Sequence, residues 1–135
     1  MVEIDLRYEG DLRTTARHAP SGAVLETDAP KDNMGKGEAF SPTDLLATSL
    51  GACMLTIMGI IAKREQIDLV GTTVKVAKEM TATPPRRVAS LTVTFVVPVA
   101  LDDTQKQKLI NAAHTCPVHR SLHPDVKVIT DFQWV

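Results

Sequence analysis

The sequence predicts an α+β domain in which strands, one long helix, more strands, short helices and a closing strand follow in that order. Three observations predict it. Alternating polar and apolar residues mark strands at both ends and in the middle of the chain. An uncharged stretch from Leu45 to Ile61, behind "SPTD", marks a single long helix. The 135 residues, 44% of them hydrophobic, suffice for one domain with a core, taken here as residues 1–135.

The elements follow in order. Val2, Ile4, Leu6 and Tyr8 alternate with Glu3, Asp5 and Arg7, which predicts a half-buried strand over 2–8. "EGD" turns the chain into a second, weaker strand, "DLRTTARH", and "PSG" turns it again into "AVLETDA". Short strands joined by tight turns make an antiparallel meander. "PKDNMGKGEAF" (30–40) is polar and glycine-rich, a mobile loop long enough to line a site. At "SPTD" Ser41 is the N-cap, Pro42 takes the first helical position, and Asp44 completes a capping-box arrangement. The helix runs to about Glu65, with Gly51 and Gly59 as candidate interruptions. Its apolar residues lie on nearly every face, which implies burial on every side; a partner subunit is the natural cover, wrapping by the chain's own sheet the alternative. The valine- and threonine-rich segments 68–81 and 88–99 read as long strands joined through "ATPPRR". A helix over 101–115 capped by Asp102 or Asp103, a helical turn at 116–122 and a strand over 125–135 complete the chain.

Composition narrows the function. A net charge of -1 gives no basic footprint for nucleic acid, and 4% aromatic content leaves few platforms for stacking bases. The charged, alternating start is no secretory signal, and the expected location is cytoplasmic. The uncharged stretch reaches only the lower edge of a membrane span, about 17–25 residues. It contains Thr48, Ser49, Gly51 and Thr56 and is followed by "KRE", so it reads as a buried helix with no membrane partner.

Chemistry centres on two thiols. Cys116 precedes Pro117 at a predicted helix N-terminus, where unpaired N–H groups and the helix dipole favour a thiolate. Cys53 lies inside an apolar helix. Simple packing is one reading of it, because free cysteine behaves as a small hydrophobe. To react, it needs a cation or a hydrogen-bond donor, with Arg13, Arg17, Lys36, Lys63 and Arg64 as candidates. Arg64 shares a helix face with Cys53 but three turns away, so another segment must supply the partner. A zinc reading competes through His114, Cys116, His119 and His123, but the spacing matches no standard site, and neither a metal nor another cofactor is expected.

"SPTDLLATSLGACMLTIMG" and "AAHTCPVHRSL" resemble the two cysteine motifs of the OsmC/Ohr superfamily, and the order of elements matches along essentially the whole chain. The resemblance implies an intertwined homodimer built around long cysteine helices, with active sites at its interface. It implies a peroxidase that reduces organic hydroperoxides to alcohols. Cys53 is then the attacking thiolate, oxidised to a sulfenic acid, and Cys116 resolves it as a disulfide. An external dithiol restores both thiols; in the Ohr branch that dithiol is a protein-bound lipoyl group. The Ohr branch also uses an arginine from the second strand. Arg13 matches best, with Arg17 a rival, and a fixed guanidinium there lowers the Cys53 pKa and stabilises the leaving alkoxide.

One position departs from that pattern. The Ohr glutamate after the helix-start proline is Thr43 here, with Asp44 next to it. Asp44 lies about 180° from Cys53 on an ideal helix. It is therefore a candidate catalytic residue only if it orients the arginine, and the favoured reading is a helix cap. Met34, Phe40, Leu46, Leu50 and Met54 are available to line an apolar substrate pocket, each with ordinary core as the alternative. A non-enzymatic module that binds a small apolar or electrophilic molecule, its cysteines sensing or structural, is the competing function.

Overall fold

The computed structural model describes residues 1–135, in two compact units, Met1–Leu46 and Ala47–Val135. The boundary falls within the long helix.

In the first unit, β1 (Ile4–Gly10), β2 (Arg13–His18) and β3 (Val24–Asp28) form the expected antiparallel meander in the order β1-β2-β3. The β1–β2 turn is tight: Gly10, Asp11 and Leu12 all have positive φ, at 91°, 52° and 63°. Only glycine adopts that region without cost, so two of these three residues are held there by the turn. The register places Arg17 opposite Val24 and Arg13 opposite Asp28. Ile4, Leu6 and Tyr8 share one face, as the alternation predicts, but that face lies open: they are 57%, 66% and 64% exposed. The loop after β3 is tied down rather than loose. It contains a 3-10 turn, Lys31–Asn33, and its glycines fold back onto β3, with Gly37 N–H donating to Ala29 O at 3.3 Å. A side chain at Gly35 would collide with the Ala29 carbonyl, which is why glycine stands there.

The helix, α1 (Pro42–Arg64), runs without a break through Gly51 and Gly59. The expectation of burial on every side is not met within the chain. Ala47, Leu50, Gly51, Met54, Met58 and Ala62 form one buried stripe at helical spacing, and Ile60 on another face is exposed. By length and composition alone α1 could cross a membrane.

In the second unit, β4 (Thr73–Met80) pairs antiparallel with β5 (Val88–Val97), and β6 (Lys127–Trp134) adds to the other side of β5. The β5–β6 pairing is parallel, unlike the antiparallel pairing of β4 with β5 and of the N-terminal meander. The reason is the connection. Between β5 and β6 lie α2 (Asp103–Ala113) and α3 (Pro117–Ser121), and a crossover that long returns the chain in the same direction. Burial alternates along β5: Leu91, Val93, Phe95 and Val97 are wholly buried, while Thr92 and Thr94 are not. The register brings Val74 and Phe132 onto the Phe95 side of the sheet, and the Phe95 and Phe132 rings stack at 4.5 Å. The stripe of α1 packs on this face, and a Cβ at Gly51 would lie only 2.8 Å from Val76 Cγ2. The helix can approach β4 so closely because residue 51 has no side chain. Leu109, Ala112 and Ala113 of α2 complete the core, and a full capping box of Asp102 with Gln105 starts that helix.

Candidate active site

Cys53 and Cys116 lie on different elements of the second unit. Cys53 is in the middle of α1 and half-buried; Cys116 is fully buried at the start of α3. Neither forms a disulfide. The fold brings the two thiols into hydrogen-bonding contact. Cys116 sits there because α2 ends at Ala113, and Pro117 occupies the first position of α3 and fixes the chain at its entry.

The Cys116 proton is the informative one. Burial pushes the thiol pKa up, and the contact with the Cys53 sulfur pushes it further; the His119 and Val118 N–H groups pull the other way. This corrects the expected Cys116 thiolate. Its Sγ does accept the His119 N–H, at 3.4 Å, but α3 has only 5 residues. So short a helix carries little dipole, and the two backbone N–H contacts do not offset burial.

In the first unit, Arg13 is held by three carboxylates. Its Nε and Nη2 donate to Asp28 Oδ1 and Oδ2, both at 2.8 Å. Nη2 also donates to Glu38 Oε2 at 3.3 Å, and Nη1 lies 3.6 Å from Glu26 Oε2. Asp28 is 2% exposed and also accepts the Glu38 backbone N–H at 3.0 Å. The Arg13 guanidinium holds the Asp28 carboxyl below the usual carboxylate range against the opposing effect of burial, and the Glu38 N–H and Lys36 assist. Arg17 lies further along the same face of β2, exposed in a shallow groove with Asp5, Leu6, Arg7, Thr15 and Val24.

Asp44 caps α1. Its Oδ2 accepts the Ser41 N–H at 2.9 Å, and its own N–H donates to Ser41 Oγ at 3.0 Å. Among the residues considered for a pocket, Leu50 and Met54 are fully buried core, whereas Met34 and Phe40 are exposed on the loop at 90% and 55%. The zinc reading finds no geometry: no three of the His, Cys, Asp and Glu residues converge in a set that could hold a metal ion. His114 is instead engaged by Ile110 O and Thr130 Oγ1.

Sequence reasoning missed Asp28. The signal was available: counting outward from the "PSG" turn, the meander pairs Arg13 with Asp28 as a cation opposite a carboxylate.

A three-stranded meander, a long cysteine helix on a second sheet and a second cysteine facing the first define a class of two-cysteine α+β proteins. Residues 35–131 match the family model of the OsmC-like proteins, and the chain belongs to that family. It is similar to a Psychrobacter arcticus 273-4 protein named for osmotic stress induction and a detoxification response. The two are 50% identical, with a TM-score of 0.94 over 98% of this chain and 96% of that one. An organic hydroperoxide resistance protein OsmC of Legionella pneumophila shares the fold at 18% identity, TM-score 0.77, covering 98% and 96%. An organic hydroperoxide resistance protein of Vibrio cholerae, with captopril in one of its active sites, does so at 19% identity, TM-score 0.74, covering 96% and 90%. No curated protein matches the chain.

Proposed function

We propose that this protein is a thiol-dependent peroxidase that reduces organic hydroperoxides to alcohols. One observation carries the reading: two free thiols, one half-buried and one fully buried, face each other. The difference in exposure supports the roles: Cys53, half-exposed, attacks, and Cys116, buried, resolves. The Cys53 thiolate attacks the terminal peroxide oxygen, the O–O bond breaks, and the alkoxide leaves with the bond's electron pair and takes up a proton. Cys53 becomes a sulfenic acid. Cys116 sulfur then attacks Cys53 sulfur, the S–O bond breaks, and the departing hydroxide leaves as water with the thiol proton. A dithiol, the lipoyl type being the candidate, reduces the resulting disulfide by exchange.

Arg13 is the guanidinium proposed to meet the peroxide oxygen, in preference to Arg17, because Arg13 is already fixed by a two-pronged ion pair. Asp44 serves the site by capping the helix that carries Cys53. The working form is a homodimer in the cytoplasm. The open apolar face of β1 and the uncovered apolar residues of α1 support a second copy as the cover.

The test is one equivalent of cumene hydroperoxide, followed by thiol counting and peptide mapping, with hydrogen peroxide, Cys53→Ser and Cys116→Ser as controls. The expected result is rapid formation of a Cys53–Cys116 disulfide, faster with the organic peroxide. Survival of both thiols for hours overturns the reading and leaves a binding module.

A further inference from the structure

We propose that the outer face of the second sheet, turned away from α1, is a self-complementary docking surface for a second copy of this chain, related to the first by a twofold axis along β5. The inference goes beyond the peroxidase reading and uses none of its residues.

The face follows from the register. α1 packs on the side of β5 that carries Leu91, Val93, Phe95 and Val97. The alternate residues point the other way, and on β4 and β6 these include Lys75, Ala77, Glu79, Lys127, Ile129 and Asp131, all exposed. Opposite charges stand across β5 in two rows. Glu79 and Lys127 flank Ser90, and Lys75 and Asp131 flank Thr94. The sign reverses between the rows: the carboxylate is on β4 in the first and on β6 in the second. The row between them, Ala77, Thr92 and Ile129, is uncharged. No ion pair forms within either row, and Glu79 takes a long 3.5 Å contact from Ser90 Oγ.

Turning this face over about an axis along β5 exchanges the β4 and β6 positions and keeps each row at its own height. Glu79 then meets Lys127 of the second copy, Lys75 meets its Asp131, and the reciprocal pairs follow by symmetry. All four charges are matched. Val96 and Ile129, 42% and 40% exposed, are covered as well, Val96 by its own counterpart and Ile129 by Ala77 of the second copy. Packed sheets stand about 10 Å apart, a gap that a lysine and a carboxylate span together. Their strands cross at about 30°, and the flexible lysine stems take up the offset at the corners. Two lysines and two carboxylates cancel, so the face selects neither an acidic nor a basic partner; what it matches is its own pattern turned over. The footprint, three strands wide and four rows tall, is about 14 Å by about 27 Å. That is well below the roughly 800 Å² per partner of a stable interface, so the contact forms above the micromolar range. The β1 row proposed for the homodimer lies in the other unit and is a separate surface.

The experiment measures the weight-average mass of the full chain by sedimentation equilibrium from about 20 µM to about 1 mM. It compares about 20 mM with about 500 mM sodium chloride. The proteins are wild type, Lys75→Glu, Lys127→Glu and Lys75→Glu/Asp131→Lys. In low salt the wild-type mass is expected to rise with concentration toward twice its dilute value; in high salt it should stay at the dilute value. Lys75→Glu sets a carboxylate against Asp131 of the second copy and should abolish the rise, and Lys127→Glu should do the same against Glu79. The double variant exchanges the charges of one row, restores the match under this axis, and should recover the rise. Should one single variant fail to fold by circular dichroism, the other decides. A wild-type mass independent of concentration in low salt overturns the proposal, as does a rise that the folded single variants leave intact. A double variant that stays at the dilute value also overturns it, because a twofold across the strands would set position 75 against position 79 instead. Peroxide chemistry does not enter the readout, so failure of the peroxidase reading leaves this result standing.

Discussion

At the residue scale, two ionisable groups set the pH behaviour. The Cys116 thiol is raised by burial and by Cys53, so the folded protein holds that proton at pH values where an unfolded chain has released it. The unfolded state then binds fewer protons, and stability must fall as pH rises above the ordinary thiol range, about 8.5. At neutral pH, iodoacetamide followed by peptide mapping should label Cys53 well before Cys116; the reverse order would refute the assignment of the proton. Asp28 has the opposite sign. Its folded pKa is lowered by Arg13, so its contribution is fully present above the ordinary Asp value, about 3.9, and is lost as pH falls through the lower folded value. Urea unfolding of Asp28→Asn and wild type should therefore differ most above pH 4 and converge in stronger acid. A constant difference down to pH 2 would mean that the charge pair is not the cause.

At the element scale, α1 is fixed by its cap and by one close approach. Ser41 is 1% exposed and exchanges hydrogen bonds with Asp44, so Ser41→Ala should cost about 0.5–2 kcal/mol in urea unfolding. Gly51 faces β4, where a methyl group would press on the β-branched Val76 side chain, which is stiff at χ1. Alanine is the better helix former, and in an isolated helix the change would help. Here Gly51→Ala should instead destabilise by about 1–3 kcal/mol, because the added methyl overpacks its contact with Val76. An unchanged or raised denaturation midpoint would show that α1 moves away from β4 freely. The parallel strand β6 is also an element-scale result: its direction is set by the α2–α3 crossover, not by its own alternation.

At the scale of the whole molecule, what stands out is apolar surface left uncovered by one chain. Ile4, Leu6 and Tyr8 form an open row on β1, with Leu25 of β3, at 46% exposed, on the same side of the meander. Rows of that kind on one sheet face mark association surfaces. Sedimentation equilibrium at micromolar concentration should give twice the 14.7 kDa chain mass, and Leu6→Lys should shift the population toward monomer. A wild type that sediments at the single-chain mass would remove the homodimer.

The sequence by itself determined the order of the strands and α-helices, because period-two and period-3.6 patterns, turn glycines and caps are local signals; the 3-10 turn Lys31–Asn33 and the late start of β4 at Thr73 were not legible. The three-strand meander, the Pro42 start of α1 and the Cys116–Pro117 entry to α3 were all legible in this way. The two cysteine motifs likewise carried the family. What only the tertiary structure decided were distances between residues remote in the chain. These are the contact between Cys53 and Cys116 and the burial that raises the Cys116 thiol. The direction of β6 and the single buried stripe of α1 belong with them. Each depends on which surfaces lose water and which charges meet in low dielectric. No local pattern encodes that, because burial is a property of the packed chain rather than of any segment in it.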